Sequence, residues 1–171
     1  WWWPEATERM SCHTRHFIVA LLKSAAIDSV ERRFLLTKIV AAVLEDSDAV
    51  GVYWSEGTLV HDPDSFSTVA RSLDLRSAPL TLWVDVRVVP NGNGTHRCFT
   101  TGMAPLGFRE IEALESSLKP EELHNFIGDM ACYIVDNRLE IPDGDTMGRT
   151  ATEKYRVRYA PSMFDRAEVM R

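Results

Sequence analysis

The stretch LTLWVDVRVVPNGNGTHRCFTT, Leu80–Thr101, decides how the chain is read. From Leu80 to Val89 the residues alternate. Leu80, Leu82, Val84, Val86 and Val88 fall on one face of an extended segment, and Thr81, Trp83, Asp85 and Arg87 fall on the other. That period predicts a strand over 80–89. Pro90-Asn91-Gly92-Asn93-Gly94 follows, rich in the residue types that tolerate the positive φ of a tight reversal. The chain then returns through Thr95 to Thr101, so an antiparallel hairpin is the clearest pairing in the sequence. Strands outnumber helices elsewhere. The pattern therefore predicts an α+β fold, with a mixed, mainly antiparallel sheet and two long amphipathic helices packed on it, rather than a doubly wound sheet.

Upstream, Pro4 suits a first helical turn and predicts a short helix to about Cys12. His16–Leu22, HFIVALL, is a continuous apolar run of strand length and predicts a central strand covered on both faces. Asp28 with Glu31 makes a capping-box-like start. The helix it opens should run to about Glu45 with Val30, Phe34, Ile39, Val40, Val43 and Leu44 as a broad buried stripe. Ala49–Trp54 reads as a strand turned by Ser55-Glu56-Gly57. Asp62 and Pro63 then start a helix carrying Phe66, Val69, Ala70 and Leu73. Downstream, Pro120 opens a long helix whose Leu123, Phe126, Ile127, Met130, Ala131, Ile134 and Val135 keep helical spacing. A final strand over 154–159 sends Tyr155, Val157 and Tyr159 inward and Lys154, Arg156 and Arg158 outward.

The chain of 171 residues fits one α+β domain, 1–171, long enough to bury a core. It opens on Trp1-Trp2-Trp3 without an initiator Met, which reads as a fragment lacking an N-terminal segment. A net charge of −6 argues against nucleic acid or an anionic membrane as partner, because both reward a basic face. No apolar run approaches the ~20 residues needed to span a bilayer. Cys12, Cys98 and Cys132 are odd in number and far apart, which suggests reduced thiols in a cytoplasm.

The phrases GVYWSEG, PLTLWVDVRV, FTTGMAPLGFREIE and DGDTMGRTATEKYRVRYAPSMFDR, in that order, resemble the bacterial domain-of-unknown-function family 4261. The likeness runs from about Arg15 to the end of the chain. It implies a bacterial, cytoplasmic α+β domain whose relatives carry an additional N-terminal segment. It implies nothing about chemistry, and it brings no catalytic residues or cofactor.

Candidate sites must therefore come from the residues. Cys12, His13 and His16 have roughly zinc-ligand spacing, but structural zinc takes four ligands and the sequence offers no second pair, so no metal is expected there. Asp143 and Asp145 bracket Gly144 and could offer oxygens to Ca²⁺ or Mg²⁺. They lack the later Glu of a cation loop, and Asp with Gly is ordinary turn chemistry, so a structural turn without metal is expected. Ser55 and Ser162 have no visible base, and Cys98 on a hairpin strand reads as a small buried hydrophobe. The sharper candidate is the polar face of the sheet. Trp83, Asp85 and Arg87 on one strand, and Arg156 and Arg158 with Lys154 on another, would converge on a carboxylate or phosphate if the two strands were neighbours. A solvated face with cross-strand ion pairs accounts for the same pattern.

Two function classes follow. One is a non-catalytic binding or protein-interaction module without a cofactor, its partner a protein or small molecule, supported by the acidic charge and by Trp1, Trp2, Trp3 and Trp54. The other is a small-molecule enzyme using the Arg-rich sheet face, with His61 or Asp145 as acid-base groups.

Overall fold

The computed structural model describes residues 3–22, 26–74, 76–150, 152–164 and 167–171. It divides into two compact units, Trp1–Trp83 and Val84–Arg171. Among the described residues no helix is long and apolar enough to cross a membrane.

In the first unit a short helix, α1, occupies Ala6–Ser11. The strand expected over His16–Leu22 is absent: these residues join no ladder, and Phe17, Ile18 and Leu22 are 80%, 84% and 92% exposed. An apolar run becomes a central strand only where neighbouring backbone satisfies its polar groups, and no described strand offers itself here. Helix α2 runs Ser29–Glu45, as expected, because the Asp28 carboxylate accepts from the free N–H groups of Val30 and Glu31 at 2.7 and 3.0 Å. Its buried residues are Val30, Arg33, Phe34, Leu36 and Thr37. Ile39, Val40, Val43 and Leu44 are only half-buried and Leu35 is exposed, so the expected wide stripe is buried only in the first half of the helix. Its apolar residues are spread around the axis, which departs from a clean amphipathic design.

Strand β1, Val52–Trp54, pairs antiparallel with β2, Leu59–His61, placing Trp54 opposite Leu59. The strand expected over Ala49–Trp54 thus keeps only its last three residues. Helix α3, Pro63–Arg71, packs against α2 and buries Phe66 completely. Asp62 caps it by accepting from the Ser65 N–H at 2.8 Å.

The strand expected over 80–89 is split. Leu80–Trp83 forms a single helical turn, α4, behind Pro79. The alternating pattern fails there because Leu80, Leu82 and Trp83 are all buried, so both of its faces seek the interior. A helical turn lets the Trp83 ring meet the edge of Phe34, centroids 5.1 Å apart, while its indole N–H donates to the Thr37 hydroxyl at 2.9 Å.

The second unit keeps the hairpin. Strand β3, Asp85–Pro90, pairs with β4, His96–Thr101, from Asp85 opposite Thr101 to Pro90 opposite His96. Gly92 and Gly94 both sit at φ +83°, the conformation for which the turn needs glycine. A third strand, β5 (Glu112–Ser116), extends the sheet in the order β3-β4-β5. Helix α5, Pro120–Asn137, lies against β3 and β4, burying Leu123, Phe126, Ile127, Ala131, Ile134 and Val135 as its spacing predicts. Of the two long helices expected on a sheet, this is the one that takes that position.

The final strand also divides. Thr146–Met147 (β6) pairs with Tyr155–Arg156 (β7), and Tyr159–Pro161 (β8) pairs with Glu168–Met170 (β9). Between them Val157 exchanges backbone hydrogen bonds with Gly144 and Asp145, and Arg158 with Arg171. Neighbouring residues thus serve different partners, and no single edge holds 154–159 straight. Val157 is buried, but Tyr155 is 41% exposed, so the expected inward row is broken. The architecture is α+β with several small antiparallel sheets rather than one sheet.

Candidate functional site

The basic sheet face read from the sequence does not assemble into one site. Trp83 sits in α4, 1% exposed and hydrogen-bonded to Thr37, so it is a core residue. Asp85 and Arg87 share a face of β3 and pair with each other at 2.6 Å. Among the described residues the ladder neighbour of β3 is β4, whereas Arg156 lies on β7, which pairs with β6. Arg156 and Lys154 are exposed, and Arg158 stands 3.9 Å from Asp143. The condition on which convergence rested, neighbouring strands, is not met.

Asp143 and Asp145 lie in a turn, as expected. Gly144 adopts φ +90°, Asp145 N–H donates to Pro142 O at 3.1 Å, and the Asp143 carboxylate accepts from the Tyr159 N–H at 2.9 Å. Asp143 therefore ties the turn to the start of β8. The Cys12 thiol points to the Glu8 carbonyl and the His13 ring to the Met10 carbonyl. Among the described residues no group of three His, Cys, Asp or Glu side chains is arranged to hold a metal. Cys98 is buried, and burial with the nearby Asp85 charge pushes its thiol up to about 12. His61 donates from Nε2 to the Leu82 carbonyl at 3.1 Å beside the Phe66 ring, and burial pulls its pKa below the ordinary value.

A different cluster does come together in the second unit. A half-open cleft of about 620 Å³ opens between the end of α5, the Ala104–Glu110 loop and β9. Ile134, Ile141, Val169 and Met170 give it an apolar wall, and Arg109 stands among its charged lining. The guanidinium of Arg109 donates to Glu140 and to Glu168, the latter at 2.9 and 3.1 Å, and lies 4.0 Å above the Tyr159 ring. Tyr159 is oriented in turn by its hydroxyl, which donates to the Ile141 carbonyl at 2.6 Å. Two carboxylates and an aromatic face surround one cation.

The neighbouring acids are spent on architecture. Glu110 accepts from the Thr100 hydroxyl at 2.7 Å and from the N–H groups of Gly102 and Ala104 at 2.9 and 3.0 Å. Glu112, 3% exposed, accepts from Ser162 at 2.6 Å, from the Met163 N–H, and from Arg171 at 3.0 and 3.1 Å. Hydrogen bonding to Glu140 raises the pKa of Arg109, and desolvation raises that of Tyr159. Both shifts move away from neutrality, where a general acid or base would need to titrate.

Sequence reasoning missed this cluster. Arg109 lies 31 positions from Glu140 and 59 from Glu168, so no local spacing could announce the contact. The one available signal was the FREIE phrase, in which a basic residue and two acids interrupt apolar positions.

Fold and cleft together define a small α+β unit with an apolar-walled, charge-rimmed opening. Residues 99–171, which contain every residue of the cleft, match the model of the family described as Domain of unknown function (DUF4261), and this segment belongs to that family. The FTTGMAPLGFREIE and DGDTMGRTATEKYRVRYAPSMFDR phrases fall inside the matched segment, and the two earlier phrases fall before it. No curated protein and no solved structure matches the chain.

Proposed function

We propose that the chain is a non-catalytic binding module of a bacterial, cytoplasmic protein, and that it recognises a protein segment or small molecule through the cleft around Arg109. The observation that carries this reading is that the charged groups in and beside the cleft are paired with one another or with backbone. Arg109 is neutralised by Glu140 and Glu168, and Glu110 and Glu112 each accept several hydrogen bonds. Such groups position a surface, and the apolar wall offers the burial that binding needs. Nucleic acid remains disfavoured on charge.

The competing reading, an enzyme on an Arg-rich face, draws no support from residues dispersed over two sheets. Native mass spectrometry of the protein drawn from its own lysate tests the proposal. A mass retained by wild type and lost by Phe108→Ala, which alters the lining, supports binding in the cleft. A mass retained equally by both removes the cleft from the reading, and a retained compound that the protein converts on incubation makes it an enzyme.

A further inference from the structure

On the face of the hairpin turned away from the buried Cys98 and Thr100, β4 presents Arg97, Phe99 and Thr101. The register sets Arg87 across from Phe99 and Val89 across from Arg97, so the two arginines are diagonal neighbours. The Phe164 ring lies against Phe99, centroids 4.4 Å apart, and stays 59% exposed. Its loop is pinned beside β5, because the Ser162 hydroxyl and the Met163 N–H both donate to Glu112, the residue across from Phe99. Two cations and a tethered aromatic pair thus share one face of the sheet.

Cross-strand ion pairs would account for such a face without a ligand, and for Arg87 they do, since it pairs with Asp85. Arg97 is different. It is half-buried, and among the described residues it makes no ion pair and no side-chain hydrogen bond. The acids of β3, β4 and β5 are engaged elsewhere: Asp85 by Arg87, Glu112 by Arg171 and Ser162, and Glu115 by Asn93 at 3.2 Å. The ladder between β4 and β5 shifts register at this point, setting Leu114 and Glu115 together across from Arg97. Such bulges re-aim side chains and are over-represented beside functional sites. The Nε of Arg97 is shut off from solvent with no acceptor, while its two Nη groups stay open. This guanidinium has lost part of its hydration and gained no counter-charge in exchange. Its open end is a fork that fits two oxygens of a carboxylate or phosphate.

We propose that Arg97 binds the oxyanion, a carboxylate or a phosphate, of a small molecule whose flat apolar part lies against Phe99 and Phe164. Arg87 adds its field from the diagonal position while it keeps its pair with Asp85. The site shares no residue with the cleft around Arg109.

The test titrates phenyl phosphate, benzoate and inorganic phosphate into the isotope-labelled chain and follows its backbone amides by nuclear magnetic resonance. An aryl probe should saturate at least about tenfold more tightly than inorganic phosphate, with shifts centred on residues 97–99 and 163–164. Which aryl probe binds more tightly tells phosphate from carboxylate. Arg97→Gln should weaken that probe at least about tenfold, Arg97→Lys should weaken it less, and Phe164→Ala should reduce it to the level of inorganic phosphate. Urea unfolding separates this role from a structural one. An arginine without a partner contributes no stabilising pair, so Arg97→Gln should keep or raise the wild-type midpoint. Absence of saturable binding by every probe up to about 10 mM overturns the proposal. So does an Arg97→Gln chain that unfolds cooperatively and binds the probe as wild type does. Saturation whose shifts map away from β4 and Phe164 overturns it as well, and that readout needs no variant.

Discussion

At the scale of single residues, the strongest commitments are polar groups taken out of water. Glu112 is held by Ser162, Met163 and Arg171, and its side chain is 2% exposed. Replacing it with Ala strands the donors that face it. Because Arg171 keeps 25% of its side chain accessible and can turn to water, the expected loss is about 2–4 kcal/mol, somewhat below that of a fully buried pair. Urea unfolding of Glu112→Ala against wild type measures it, and a loss under about 1 kcal/mol would mean that the network contributes little. Cys98 makes a prediction in pH. Its thiol is raised from 9.0 to about 12, so the folded chain keeps a proton that the unfolded chain releases. Stability is then insensitive to this group below pH 9 and falls as pH rises from 9 toward 12. Cys98→Ala should remove that part of the alkaline loss. At pH 8 iodoacetamide should label the exposed Cys12 and spare Cys98 until the chain unfolds.

Elements succeed or fail on whether their pattern has one face to satisfy. Helix α5 does, and its length, its start at Pro120 and its buried face all follow from spacing. Phe126 is 5% exposed with Tyr155 against it, ring centroids 4.8 Å apart. Phe126→Ala should cost about 3–5 kcal/mol in chemical denaturation. Two glycines should respond in opposite directions. Nothing lies within 4 Å of a Cβ placed on Gly128 in α5, so Gly128→Ala should stabilise by about 0.5–1 kcal/mol through helix propensity. A Cβ on Gly57 would stand 2.4 Å from the Trp83 carbonyl oxygen, so Gly57→Ala must displace backbone and should lower the melting temperature. Equal shifts for the two variants would contradict the close packing at Gly57. The Leu80–Trp83 turn shows the opposite case to α5. Its alternation was genuine in sequence, but every large side chain in it is buried, so periodicity there carried no information about which face was polar.

For the whole molecule, the boundary at Trp83/Val84 matters more than the edges of the family match. The match begins at Phe99, in the middle of β4, and omits β3, the strand against which α5 also packs. A fragment of 84–171 keeps the entire β3-β4-β5 sheet and should unfold cooperatively in urea. A fragment of 99–171 loses the hairpin and one surface beneath α5, and should show no cooperative transition by circular dichroism. Cooperative folding of the shorter piece would mean that β3 is dispensable.

The sequence by itself determined whatever depends on residues close together in the chain. Asp28 and Asp62 start helices because their carboxylates reach N–H groups two or three residues on. Gly92 and Gly94 reverse the hairpin because glycine alone enters φ +83° without strain. Asp143-Gly144 turns the chain for the same local reason, and α5 shows its buried face through a period of 3.6 residues. Tertiary structure decided everything that needed a partner at a distance. It left His16–Leu22 outside every described ladder, turned Leu80–Trp83 into a helix around the Trp83 indole, and divided 154–159 between two sheets. It also gathered Arg109, Glu140, Tyr159 and Glu168 into one cluster. The physical reason is common to all four. Caps and turns satisfy their hydrogen bonds within a few residues, whereas strands and long-range ion pairs form only with groups that the rest of the fold brings to them.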